Sequence, residues 1–310
     1  MREDEVIALA VAAGKGGGMA GGGVVIGPGD DLGGIQVGDR LVLVGVDAVV
    51  EGVHYARGTS AERVARKALN RNLSDVAAMG AEPLAAVVGA VVPAGCEEGV
   101  AVLEALGAYG AEVGCPVIGG DVSMAGESLV VSVTVVAEAG RLDEGWAVVR
   151  RDKGRVGDVL WVTGELGGSM EDLEGFVKHL DFEPRLAAGK SLVGTATAMM
   201  DVSDGLAKDL PRLVKACGCG AQVEVDRLPM SEACRVAAGG SGRAEWEHAV
   251  GDGEDYELLF ACPPGVTPVL PDGLAVTAIG ELVAGDGVAF VGRDGGVLET
   301  AGMGWEHGRD

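Results

Sequence analysis

Acidic residues recur beside glycine turns and at the ends of apolar runs, and their chemistry sets the first question. Asp30 and Asp31 follow Gly27-Pro28-Gly29 on a tight turn. Asp47 comes at the end of the apolar run Leu41-Val42-Leu43-Val44-Gly45-Val46. Asp75 stands in Asn70-Arg71-Asn72-Leu73-Ser74-Asp75, late in a helical pattern, where the helix dipole favours cations over acids. Gly119-Gly120-Asp121 lets backbone N–H groups approach a phosphate. Asp201 and Asp204 lie three residues apart after Met199-Met200, and Gly253-Glu254-Asp255-Tyr256-Glu257 adjoins Leu258-Leu259-Phe260. Carboxylates without thiol pairs and with few histidines are hard oxygen ligands, which select Mg2+ (or Mn2+) over zinc or copper. Magnesium usually reaches its site together with substrate phosphates. Phosphoryl transfer then needs alignment and charge neutralisation rather than a covalent intermediate. No Ser-His-Asp or Cys-His arrangement competes with that chemistry.

The elements that must position these acids can be read from apolar periodicity. Residues 3–13 pattern as a short helix, 24–26 as a strand, and 41–47 as a buried strand that delivers Asp47 at its end. Val64, Ala65, Ala68, Leu69 and Val76 repeat at helical spacing, which predicts a helix over 61–79 stopped by Gly80. Strands are expected at 84–92, 117–121 and 128–137, the last fully buried, with a helix at 97–113. Beyond them come strands at 159–164, 222–225 and 258–260. Ser203 and Asp204 read as N-caps of a helix over 206–217. His54 lies seven residues past Asp47, close enough in sequence to join its site.

Composition bounds the rest. A chain of 310 residues, 48% hydrophobic, favours two domains over one core. Arg141, Arg150, Arg151, Lys153 and Arg155 concentrate positive charge in an acidic chain, placing the boundary near residue 142 and offering an arginine to a phosphate. The net charge of −23 argues against nucleic acid and against anionic membranes as partners. No apolar run reaches the ~20 residues of a membrane span. The acidic start, Met1-Arg2-Glu3-Asp4-Glu5, is unlike a secretory signal, so a cytoplasmic protein is expected. The six cysteines include one close pair, Cys217 and Cys219, and read as reduced thiols. Gly14 to Gly23 is a near-continuous glycine run, and its match to GxGxxG has no preceding strand, so a dinucleotide site is rejected. Gly189-Lys190-Ser191 resembles the end of a P-loop, but Pro184 stands where the earlier glycine is required.

Taken in order, these motifs resemble thiamine-monophosphate kinase, within the superfamily of aminoimidazole ribonucleotide synthetase. The strings that carry the likeness are Gly-x-Gly-Asp30-Asp31, the Asp47 strand with Glu51-Gly52-Val53-His54-Tyr55, Asn72-Leu73-Ser74-Asp75-Val76-Ala77-Ala78-Met79-Gly80, Gly119-Gly120-Asp121, Asp201-Val202-Ser203-Asp204-Gly205-Leu206 and Gly253-Glu254-Asp255-Tyr256-Glu257-Leu258. The resemblance implies an α/β (α+β) protein of two domains, 1–141 and 142–310. The N-terminal domain would bind ATP and Mg2+ and join its sheet to that of a second copy as a barrel; the C-terminal domain would be α/β. It implies ATP-dependent phosphorylation of thiamine monophosphate to thiamine diphosphate by a homodimer, with several Mg2+ ions. Asp31, Asp47, Asp75, Asp121 and Asp201 would hold Mg2+, with Asp30 close by and Asp204 on a further ion. Gly120, Asp121, Arg151 and Ser203 would touch ATP. His54, Glu254 and Trp305, the last in Gly304-Trp305-Glu306-His307, would contact the thiamine phosphate, and no general base is assigned. The chain departs from the usual pattern at Gly45-Val46, where Ser or Thr normally precedes the Asp47 position, and at Val122-Ser123-Met124, where Thr-Thr-Arg is usual. The stretch from Gly164 to His179 is shorter than usual. Alternative readings are another ATP-dependent kinase or synthetase of the superfamily, and a catalytically weakened ATP-binding paralogue.

Overall fold

The computed structural model describes residue 9 and residues 23–305. All of the helix expected over 3–13 except Leu9, and nearly all of the glycine run, lie outside the described residues.

Two seven-stranded sheets organise the chain. The first contains β1 (Val24–Ile26), β2 (Gly33–Val37), β3 (Arg40–Val50), β4 (Glu82–Val92), β5 (Val117–Met124), β6 (Val130–Arg141) and β7 (Trp146–Ala147). Its order is β1-β2-β3-β6-β4-β5, with β7 on β6. All of its pairings are antiparallel except β4 with β5. The second contains β8 (Val159–Thr163), β11 (Ala198–Val202), β12 (Gly220–Glu224), β13 (Glu257–Cys262), β14 (Val276–Val283), β15 (Gly287–Val291) and β16 (Val297–Leu298), in the order β11-β13-β8-β14-β12-β15-β16. Between β8 and β11 a small ribbon pairs β9 (Asp172–Leu173) with β10 (Phe176–Val177). Neither described sheet closes on itself as a barrel.

The helix α1 (Ala61–Ala78) joins the two halves. The Ser60 side chain caps it by accepting from the Arg63 N–H, and Gly80, at φ 66°, ends it in a left-handed turn. Its Val64, Leu69, Leu73 and Val76 are buried in the first core, each worth ~2 kcal/mol relative to exposure. That burial offsets the cost of placing Lys67, Asn70, Asn72 and Ser74 on the same helix, all four fully buried. Asn70 Nδ2 donates to the Phe182 carbonyl at 2.8 Å, and the Arg63 guanidinium pairs with Asp181, so α1 is also bound to the second half. Helix α2 (Glu97–Glu112) packs on α1. Short helices α3 (Lys178–Asp181) and α4 (Leu186–Leu192) lie against α1 from the other side. Helices α5 (Leu206–Cys217), α6 (Glu232–Ser241) and α7 (Glu245–Gly251) belong to the second half.

Several expectations need correction. The strand around Asp47 runs on to Val50, so Asp47 is not at its end but on a core-facing pleat near it. β6 is not fully buried: its residues alternate, because one face of the first sheet is left uncovered. The N-cap of α5 is Gly205, at φ 98° with no side-chain cap bond, rather than Ser203 or Asp204. The carboxylate of Asp209, inside the helix, reaches back instead and accepts from the N–H groups of Ser203 (3.0 Å) and Asp204 (2.9 Å). All six cysteines are free. No described helix is long and apolar enough to cross a membrane.

Candidate active site

A cleft of about 970 Å³ opens beside α1 between the two sheets. Asp30, Asp47, Asp75, Arg151, Asp201, Ser203, Asp204, His54, Glu254 and Trp305 all line it. In its wall, with Asp31 buried behind Asp75 and Asp201, one oxygen from each of the three comes within 4.8 Å of the others. They arrive from three elements: the turn before β2, the last turn of α1, and the buried strand β11.

This acid centre is out of balance by itself. Burial, then the charges of Asp47, Asp201 and Asp31, hold the Asp75 carboxyl well above the usual carboxylate range. Burial, then Asp31, pushes Asp201 up to about 8, although Ser74 Oγ donates to its Oδ2 at 2.6 Å. Asp47 is raised by burial against the pull of Arg71. Carboxylates crowded in this way are short of positive charge, and hard oxygen donors at this spacing fit a divalent cation. The charge present is partly supplied by Arg151, whose guanidinium meets Asp31 through Nε (3.0 Å) and a terminal nitrogen (2.5 Å). Asp30 accepts from the Arg151 N–H (2.9 Å) and from Arg150 Nε (3.1 Å). The acid turn is thereby tied to the basic stretch that follows the first sheet. Asp204, also on the cleft, pairs with Lys208 and Arg212.

Gly120 and Asp121 are placed elsewhere. Across the first sheet Asp47, Val133, Val88 and Gly120 form one register row, and Ala48, Ser132, Gly89 and Asp121 the next. Successive residues point to opposite faces, so Asp121 projects from the face opposite to that of Asp47 and is exposed. Val46, beside Asp47, likewise faces outward and is 61% exposed, so it is not part of the acid centre. At Gly120 an added Cβ would stand 2.0 Å from the Val88 carbonyl oxygen. Close strand packing alone therefore requires that glycine.

His54, Glu254 and Trp305 do come together. The His54 Nδ1 accepts from the Val50 N–H at 3.0 Å, which puts the proton of the neutral ring on Nε2. Its ring lies 5.9 Å from that of Trp305, inclined at 50°. Glu254 and Tyr256 both adopt positive φ, 56° and 52°, a conformation that costs side-chain-bearing residues about 1–2 kcal/mol. Their N–H groups hold it by donating to the carbonyls of Ser203 (2.7 Å) and Val202 (2.8 Å). The Glu254 carboxylate meets the buried ammonium of Lys67 and sits 3.4 Å from His179 Nδ1. Burial acts to raise it, but His179, Lys67 and Arg71 together bring it down to about 2. Lys67 is itself lowered to about 8, because burial outweighs its attraction to Glu254.

The chain matches the family model described as "AIR synthase related protein, N-terminal domain" over residues 29–139. It is 36% identical to the thiamine-monophosphate kinase of Rhodopirellula baltica over 254 residues, covering 78% of this chain and 76% of that protein. The enzyme of the same name from Salmonella typhimurium is 33% identical over 308 residues, covering 92% of each.

The chain belongs to the thiamine-monophosphate kinase family.

A solved structure described as AaThiL complexed with AMPPCP and TMP superposes with a TM-score of 0.82 at 30% identity, covering 99% of this chain and 97% of the other. The sequence reading missed four side chains in and behind the cleft: Arg71 lines it, while Lys67, His179 and Asp209 are buried behind its wall. Lys67 and Arg71 precede Asp75 at intervals of four and so share its face of α1. That spacing was the available signal, but it reads equally as a solvated charged face. His179 and Asp209 had no such signal. Burial raises Asp209 to about 7, with Asp204 adding to the rise, and only the folded loop shows that it organises the Ser203-Asp204 turn.

Proposed function

We propose that this protein transfers the terminal phosphoryl group of ATP directly to thiamine monophosphate, giving thiamine diphosphate and ADP. The observation that carries the reading is the Asp31-Asp75-Asp201 centre, in one cleft with His54, Glu254 and Trp305, in a member of this family. Asp31, Asp75 and Asp201, with Asp47 beside them, would hold Mg2+; Asp30 lies close by, and Asp204 would serve a further ion. Bound there, magnesium would neutralise charge on the phosphoryl oxygens in flight. Arg151 and Ser203 face the cleft where ATP phosphates would lie. Trp305 offers an aromatic face to the cationic ring of the acceptor, and the ionised Glu254 offers it a countercharge. The acceptor oxygen belongs to a phosphate that is largely ionised near neutral pH, so no general base is needed. Incubation with ATP, Mg2+ and thiamine monophosphate should yield thiamine diphosphate and ADP in equal amounts, with no turnover after chelation. ATP binding without thiamine diphosphate formation would sink the reading.

Residues 1–141 would form the nucleotide and dimerisation domain, and residues 142–310 the second domain. Support for the dimer comes from the uncovered face of the first sheet, where Ile35, Val44, Val46 and Val87 are exposed. Pairing that face with a second copy would cover it and bring Asp121 into a shared interface, with Gly120 beside it on the edge strand. Val46→Glu is expected to convert the dimer to monomer in light scattering while the chain still folds; an unchanged mass would count against this face.

A further inference from the structure

Four cationic side chains line the cleft, and they are not equivalent. Arg151 is engaged with Asp31 through two bonds, and Arg212 with Asp204 and Asp209. Lys215 is exposed. Arg71 stands one helical turn before Asp75, its side chain only 14% exposed. Its guanidinium reaches Asp47 Oδ2 at 3.4 Å and the Ala48 carbonyl at 3.3 Å. Both contacts are longer than the 2.7–2.9 Å usual for charge-assisted bonds, and a guanidinium has five N–H donors. Arg71 is therefore held in place yet under-used.

We propose that Arg71 is the residue that grips the phosphate monoester of the acceptor. The proposal rests on the functional reading above and deepens it. An incoming dianion would face Asp47, Asp75, Asp201 and Glu254, and like charges at close range in a partly dry cleft repel by several kcal/mol. Arg71 lines the same cleft as Asp47, Asp75, His54 and Trp305, and its charge bears on both Asp47 and Glu254, so it is within reach of an acceptor phosphate held there. Its planar fork matches two phosphate oxygens, which an ammonium cannot do. Were Asp47 to help hold a divalent cation, its long contact with the guanidinium would be dispensable, leaving Arg71 free to bond the phosphate. Thus Arg71 acts on substrate and not only as a structural partner of Asp47.

The test is calorimetric titration of thiamine monophosphate, and separately of thiamine, into protein saturated with Mg2+ and a non-hydrolysable ATP analogue. Arg71→Ala should weaken thiamine monophosphate binding at least tenfold and raise its KM similarly. Thiamine binding and the affinity for the nucleotide analogue should stay within twofold. Arg71→Lys, which keeps the charge but loses the fork, should recover part of the loss while remaining at least threefold weaker than wild type. It also serves as the test should the alanine variant not fold. Unchanged phosphate-ester binding in a wild-type-like fold would overturn the assignment. So would a parallel loss of nucleotide affinity, which would mean that Arg71 works only through Asp47. Wild-type protein that binds no thiamine monophosphate would overturn the functional reading, and this one with it.

Discussion

Asp75→Asn is expected to reduce kcat at least a thousandfold and yet to melt no lower than wild type in metal-free buffer. The two effects have one cause. Asp75 is one of three carboxylates that converge in the wall of the cleft, and losing a charged ligand there removes stabilisation the transferring phosphoryl group requires; a thousandfold is about 4 kcal/mol. Without a cation, the same carboxylate is a burden, because burial and its acidic neighbours raise its pKa well above the ordinary 3.8. The sign follows from proton linkage. An acid whose pKa is higher folded than unfolded binds more protons in the folded state, so stability falls as pH rises above the ordinary value. The asparagine variant escapes this loss. Its melting advantage in chelator should therefore widen between pH 5 and pH 8, and should narrow when Mg2+ stabilises the wild type. A variant that keeps wild-type turnover would remove Asp75 from the metal set.

The largest stability effect is expected at Gly189→Ala. An added Cβ would lie 1.9 Å from the Ala77 carbonyl oxygen and 2.8 Å from its carbon. Both belong to the backbone of α1, which cannot rotate away as a side chain would. The clash should destabilise the fold by ~3 kcal/mol or more, which is roughly 6–12 °C in Tm. It should also lower kcat, since Ala77 is two residues from Asp75 and the helix must shift to relieve the contact. Gly107→Ala is the control: it lies in α2 with nothing within 4 Å of the added methyl, and should leave both Tm and kcat at or slightly above wild type. Equal behaviour of the two variants would mean that the α1–α4 approach is less tight than described.

Gly189 also shows why some of the structure was legible and some was not. Its string resembles a phosphate loop, and spacing rules excluded that, but nothing local said that a helix backbone would lie against it. The long helix carrying Asp75 could be read closely, because its apolar period and its Gly80 stop agree. Asp75 itself was legible as an acid at the end of a helix that prefers cations. The side of the sheet taken by Asp121 was not, since it depends on register across β3, β6, β4 and β5 rather than on any local pattern. The turn at Ser203-Asp204 misled for a related reason. Cap preferences favour both residues, but Asp209, one turn into the helix, took the backbone donors. Lys67 and Arg71 are the most instructive omission, because a charged face of a helix means solvent until one knows what covers it.

Lys67 carries a consequence for how this protein can change over time. It is fully buried, and the carboxylate that neutralises it is encoded 187 residues downstream, in the turn that leads into β13. A severed first half would have to expose that ammonium or strand it in hydrocarbon, and either choice frays the helix that bears the acids. The two halves are therefore not exchangeable parts: a chimera joining one half to the partner of a distant relative would need to import the Lys67–Glu254 match as a unit.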